Sequence, residues 1–172
     1  MQDLADLIRS VSDFPRAGVM FRDVSPLLAS ASGFTRCIDA LAEPWQGQGV
    51  QAVGGIEARG FIFGAALALR LQAGFVPLRK PGKLPPPVRS VDYELEYGRD
   101  RLEIQQHVLP PGTRVLLVDD VLATGGTLLA GADLIGRAGA ELIGAAVVIE
   151  LTALDGRSRW AERGPLHSLL RY

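Results

Sequence analysis

Two adjacent carboxylates, Asp119 and Asp120, end the apolar run VLLV, and a Thr-Gly-Gly-Thr turn follows within a few residues (VLLVDDVLATGGT, 115–127). Ionised groups are costly to bury unpaired, so packing does not account for the acids. The apolar half reads as a buried strand, and the small, polar half as a tight turn opening a helix. Gly125 and Gly126 let the backbone approach a ligand closely, and Thr124 and Thr127 add hydroxyls. The following helix presents unpaired N–H groups, which completes an anion cradle. One helix terminus gives an exposed anion only about 0.3–1 kcal/mol, so several donors must converge, and this turn supplies several. Carboxylates repel phosphate but accept hydrogen bonds from hydroxyls, and a pair of them favours cationic charge growing on a sugar carbon. Cradle and acids together describe a ribose 5-phosphate binder. The plain alternative is a strand-to-helix turn with one capping acid and one solvated acid.

Other chemistries find little support. The chain has neither GxxxxGK[ST] nor GxGxxG, which disfavours a P-loop or a dinucleotide site. His107 and His167 lie far apart with no metal-ligand spacing, and each reads as a surface or structural histidine. A net charge of -1 gives no global reason to expect nucleic acid or an anionic membrane as a partner. The single cysteine, Cys37, reads as a small residue packed on a helix and suits a reducing compartment. The first fifteen residues lack the basic start and apolar core of a signal peptide. No apolar run reaches spanning length, LIGAAVVIEL included, so the expectation is a cytoplasmic chain.

The elements that must position the acids follow from periodicity. Helices are expected over 4–11, 33–42, 60–72 and 126–138, and buried strands over 50–56, 74–80, 115–120 and 141–151. The stretch 14–30 reads as loop-rich, 100–109 as a strand, and 151–172 as short irregular pieces. Continuous apolar strands alternating with helices imply a mainly parallel sheet covered on both faces. The fold class is therefore α/β, one doubly wound domain over 1–172 with an antiparallel flap. With 172 residues and 48% hydrophobic content, the chain can build a substantial core. Ligands of such sheets bind at the carboxyl ends of strands, where the topology switches direction. GGIEARGF (54–61) and DDVLATGGT (119–127) should face one crevice.

Four collinear stretches carry a more specific likeness. VLLVDDVLATGGT resembles the 5-phosphoribosyl 1-pyrophosphate (PRPP) signature of type I phosphoribosyltransferases. FPRAGVMFRDVSPLL (14–28), GGIEARGFIFG (54–64), and RKPGKLP (79–85) with YELEYG (93–98) make the chain similar to the adenine phosphoribosyltransferase family. The likeness runs from Ile8 to Tyr172. It implies an N-terminal hood (about 1–33), a flexible flap (about 79–107), a homodimer, and Mg²⁺ carried by PRPP without a firm protein ligand. The implied reaction moves the phosphoribosyl group of PRPP to N9 of adenine, releasing pyrophosphate. Another purine, or a non-catalytic PRPP-binding regulator, is the alternative.

The resemblance also distributes roles. Ala123, Thr124, Gly125, Gly126 and Thr127 would hold the 5′-phosphate, and Asp119 and Asp120 the ribose hydroxyls. Glu57, Ala58 and Arg59 match the pyrophosphate loop, with a cis peptide before Ala58 and Arg59 facing the substrate as a catalytic group. Arg79, Lys80 and Lys83 would neutralise pyrophosphate from a hinged lid, with Arg79 the candidate to reach the partner subunit. Glu96 matches the acid that exchanges a proton with the purine, with Glu94 as the alternative, and Tyr97 would seat the lid. The base would stack on Phe21 with Leu122 opposite, and backbone groups around Met20 and Arg22 would read its amino edge.

Overall fold

The computed structural model describes residues 2–94 and 98–172. The chain starts with a single helical turn, α1 (Gln2–Ala5), and a short strand, β1 (Arg9–Val11), which pairs antiparallel with β2 (Phe21–Asp23). The helix expected over 4–11 therefore stops early. Pairing with β2 satisfies the backbone of Arg9–Val11, and Arg9 meets Asp23 at 2.6 Å across the ribbon. Two helices follow, α2 (Ser25–Ala29) and α3 (Ala31–Ala42). The Ser30 hydroxyl caps α3 by accepting the Gly33 N–H at 3.1 Å. Cys37 is fully buried on α3, and burial pushes its thiol up to about 12.

Next come β3 (Ala52–Ile56), α4 (Gly60–Leu71) and β4 (Gly74–Leu78), and then the antiparallel pair β5 (Val88–Glu94) and β6 (Arg99–Gln105). The chain ends with β7 (Arg114–Leu122), α5 (Gly126–Arg137), β8 (Glu141–Glu150), α6 (Gly156–Trp160) and β9 (Leu166–Arg171). Five strands form one parallel sheet in the order β4-β3-β7-β8-β9. The strand β9 corrects the expectation of irregular structure over 151–172. Its identity comes from pairing with β8, which local sequence does not announce.

Alternation along β7 divides the core between the two faces. Leu116 and Val118 join α3 and α4 through Leu41, Phe63 and Leu67. Val115 and Leu117 join α5 and the antiparallel pair through Leu134, Ile135, Leu102 and Ile104. Each such leucine contributes about 1.5–3 kcal/mol by leaving water. Among the described residues, no helix is long and apolar enough to cross a membrane.

A buried ionic knot closes the far side of the sheet. Glu150, 4% exposed at the end of β8, accepts two bonds from Arg157 on α6, at 2.7 and 2.6 Å. Ser168 on β9 also donates to it, and Arg171 lies at 3.2 Å. The Arg157 bonds hold the Glu150 pKa down at about 2, with Ser168 and Arg171 assisting against burial. A depressed carboxylate pKa stabilises the fold above the unfolded value and stops doing so as pH falls toward the folded one. Glu150→Gln is thus expected to cost about 3 kcal/mol at pH 7. Urea unfolding should show that gap shrinking as pH drops from about 4.5 toward 2.

Candidate active site

In sheet order, β3 leads to β4 on one side while β7 leads to β8 on the other, so the topology reverses between β3 and β7. Their carboxyl ends lie side by side, with Gly55 in register with Val118. The two loops read from the sequence, 57–60 and 119–127, leave from this point, where parallel α/β sheets place their ligands.

Asp119 and Asp120 are the last polar step of β7 before the loop. Asp120 is 6% exposed and forms an ion pair with Arg59 Nε across the crevice. Asp119, half-buried, accepts the Asp120 N–H at 2.8 Å. Loss of hydration raises the Asp119 pKa well above the ordinary range, and repulsion from Asp120 adds to it. The guanidinium of Arg59 also lies over the Phe21 ring at 5.3 Å. One arginine thus joins the acids to the aromatic wall of the hood.

The loop beyond the acids turns through Gly125 at φ 83° and enters α5 at Gly126. A side chain at Gly126 would lie 2.9 Å from the Glu94 carbonyl oxygen, so the end of β5 is seated directly on the cradle. The glycine turn and the antiparallel pair therefore touch. Glu96 and Tyr97 lie outside the described residues. Glu94, the alternative acid, is exposed.

The peptide between Glu57 and Ala58 is cis. The Glu57 carboxylate gathers the basic run around itself: the Lys83 ammonium, the Lys80 N–H at 2.9 Å and Arg79 Nε at 3.3 Å. Burial works against its charge, but these cations and the N–H outweigh burial and lower its pKa. Arg79 also donates to the Lys83 carbonyl at 3.0 Å. The Lys80 ammonium is committed elsewhere, to Asp100 and the Tyr93 hydroxyl, a pair near the turn end of β5 and β6.

Phe21 lines a cavity of about 550 Å³ with Arg59, Phe14, Val24 and Leu28. Phe14 packs edge-on to Phe21 at 5.1 Å, and Arg9 and Asp23 lie on the rim. The sequence reading missed Phe14, Arg9 and Asp23; the quoted FPRAGVMFRD contains two of them, and the third comes from the strand mistaken for helix. Met20 is exposed, and the Arg22 side chain turns away to Ser10 and the Tyr172 ring.

Leu122 requires a correction. It is 1% exposed and belongs to the core under α5, so it cannot face a base. Val121 packs with the opposite core cluster, so the two-residue alternation of β7 is offset across the acidic pair. Val121, the residue before Leu122, is half-buried. His107 sits at an exposed turn with φ 62°, and His167 is half-buried on β9, its pKa lowered chiefly by burial. Among the described residues, no group of three or more His, Cys, Asp or Glu side chains is arranged to hold a metal.

Comparison with known proteins bears on this site. The model of the phosphoribosyl transferase domain matches residues 30–164. The adenine phosphoribosyltransferase of Thermosynechococcus vestitus is 55% identical over 170 residues, covering 99% of each chain. The crystal structure of adenine phosphoribosyltransferase from Rhodothermus marinus superimposes with a TM-score of 0.94 at 47% identity, covering 99% of this chain and 97% of that one. The enzyme from Saccharomyces cerevisiae, solved with an imino-altritol bisphosphate and adenine, gives a TM-score of 0.92 at 39% identity over 98% and 97% of the two chains.

A raised carboxylate pKa means that the folded state is penalised for carrying the charge above the ordinary range. Asp119→Asn is therefore expected to unfold at higher urea than the parent at pH 7. The advantage should close as pH falls below the folded pKa toward the unfolded one, where the parent acid is neutral in both states.

Proposed function

This chain belongs to the adenine phosphoribosyltransferases within the phosphoribosyl transferase family, and from that membership we propose how its crevice transfers a phosphoribosyl group from PRPP to adenine. The observation that carries the reading is the acid pair on β7, set beside a glycine cradle at the β3–β7 switch point. Residues 123–127 hold the 5′-phosphate, and Asp119 and Asp120 accept the ribose hydroxyls. The base enters the cavity against Phe21, with Phe14 behind it. Stacking of this kind is worth about 1–3 kcal/mol. Backbone groups of Met20 and Arg22 read the amino edge, where unmatched donors would discriminate other purines.

Transfer forms the N9–C1′ bond as the bond from C1′ to pyrophosphate breaks, and the leaving group takes the electron pair. Positive charge grows on the sugar between the two aspartates, which are fixed in place beforehand. Arg59, Arg79 and Lys83 receive the departing pyrophosphate, with Lys80 joining when its bond to Asp100 is exchanged. The base loses one proton, and Glu96 on the flap is the group to accept it. Closure of β5 and β6 over the cradle excludes water, the competing nucleophile.

The acids and hydroxyls proposed to face the sugar phosphate, the two aspartates and the threonines, are oxygen groups of the kind that suits Mg²⁺. Carried in by PRPP without a firm protein ligand, that ion would neutralise charge on the pyrophosphate. A homodimer fits the exposed apolar stripe of α4, where Leu69 is 82% exposed and Ile62 shares its face. A single domain working in the cytoplasm completes the reading, consistent with one buried, unpaired thiol.

Purified protein with PRPP, Mg²⁺ and each purine singly should release pyrophosphate with adenine. Release with hypoxanthine, guanine or xanthine instead would reassign the base, and none with any purine would favour a regulator. The double variant Asp119→Asn, Asp120→Asn should fold normally yet lose about three orders of magnitude in turnover, in line with removing preorganised charge.

A further inference from the structure

The back of the phosphate cradle is built by a segment far away in sequence. The backbone of Gly156, at the start of α6, lies against residues 123–125 so closely that a Cβ there would stand 2.2 Å from the Ala123 carbonyl oxygen and 2.9 Å from the Gly125 nitrogen. The contact is reciprocal, since a Cβ on Gly125 would stand 3.0 Å from the Gly156 carbonyl oxygen. Real Cβ atoms essentially never sit as close as the first two distances, so two bare backbones are required. A few residues on, Arg159 donates from Nη1 to the Thr124 carbonyl at 2.9 Å. A trans peptide carries its C=O and N–H on opposite sides. Holding the Thr124 carbonyl therefore fixes the direction of the Gly125 N–H.

This backing segment is itself anchored. Arg157, between the two contact residues, is locked by its paired bonds to buried Glu150 and by a third to the Leu166 carbonyl at 3.1 Å. The tether runs from the sheet through α6 to the loop. Without it, a turn containing two adjacent glycines would have wide conformational freedom.

We propose that Gly156 and Arg159 are positioning residues of the 5′-phosphate cradle, setting the geometry of residues 123–127 without touching the substrate. The inference rests on the reading of that loop as the phosphate site. Neither residue belongs to the collinear stretches that carry the resemblance, and Arg159 is exposed on the outside of the molecule.

Steady-state kinetics and calorimetry with ribose 5-phosphate separate this role from a general structural one. Arg159→Gln should raise KM for PRPP about tenfold, the weight of one hydrogen bond, with kcat and KM for adenine unchanged. Its affinity for ribose 5-phosphate should fall by the same factor, and Arg159→Lys should restore part of it. Gly156→Ala should lose about a hundredfold in PRPP affinity, as for a displacement of one ångström at a binding loop. Should Gly156→Ala not fold, Arg159→Gln decides alone. Parental KM for PRPP and parental ribose 5-phosphate affinity in Arg159→Gln would overturn the proposal. So would a loss shared equally by kcat and both KM values. The calorimetric arm reads the cradle without turnover, so a parent protein inert toward every purine would count against the proposed reaction and leave this test intact.

Discussion

An ionised carboxylate at the end of a buried strand must find a counter-charge or give up its charge, and this chain places two of them in succession. Asp120 takes Arg59 across the crevice as its partner. Asp119 receives the Asp120 N–H and is left with the repulsion of its neighbour and a depleted hydration shell. Asp120 is nearly buried while Arg59 is partly exposed, so losing the arginine would leave the acid's charge uncompensated. Arg59 is therefore held where it is needed, at the exit of β3, over the ring of Phe21. One charge interaction ties the sheet, the β3 loop and the N-terminal ribbon to a common point.

That junction depends on close backbone approach around it. The cradle can lie beneath β5 because Gly126 has no side chain to meet Glu94, and it can lie against α6 because Gly125 and Gly156 are both bare. The glycines of the turn thus serve three surfaces at once: crevice, flap and supporting helix. An alanine scan of the loop would mix those effects. A change on the supporting side separates them, because it alters no residue that itself faces the crevice or β5.

Much of this was legible in the chain itself. The apolar runs ending in acids, together with their alternation with helices, specify parallel strands and locate the crevice, because burial on both faces leaves no polar phase to misread. The features that escaped were set by tertiary contact. Arg9–Val11 has a composition that permits helix, yet pairing with Phe21–Asp23 draws it into a strand. Leu166–Arg171 becomes a strand through its partner β8. The resemblance that set Leu122 opposite the base says nothing of burial, and the alternation of β7, offset across the acidic pair, turns Leu122 into the core beneath α5. Gly156 looks like any loop glycine, since sequence shows that a backbone is bare but not what approaches it.

The same charge logic governs the opposite wall. Glu57 draws the side chains of Arg79 and Lys83 and the Lys80 N–H into one cluster, so the basic run is ordered around an internal anion. A carboxylate carries one negative charge, whereas a pyrophosphate carries several and offers more acceptor oxygens to the same donors. In the proposed reaction Arg79 and Lys83 would share their donors between Glu57 and pyrophosphate, starting close to where they would act. Less side-chain ordering remains to be done at binding, which is where preorganised sites gain their advantage. Glu57 also keeps like charges together that would otherwise repel. An acid placed where pyrophosphate is proposed to bind is what allows this positive charge to gather there.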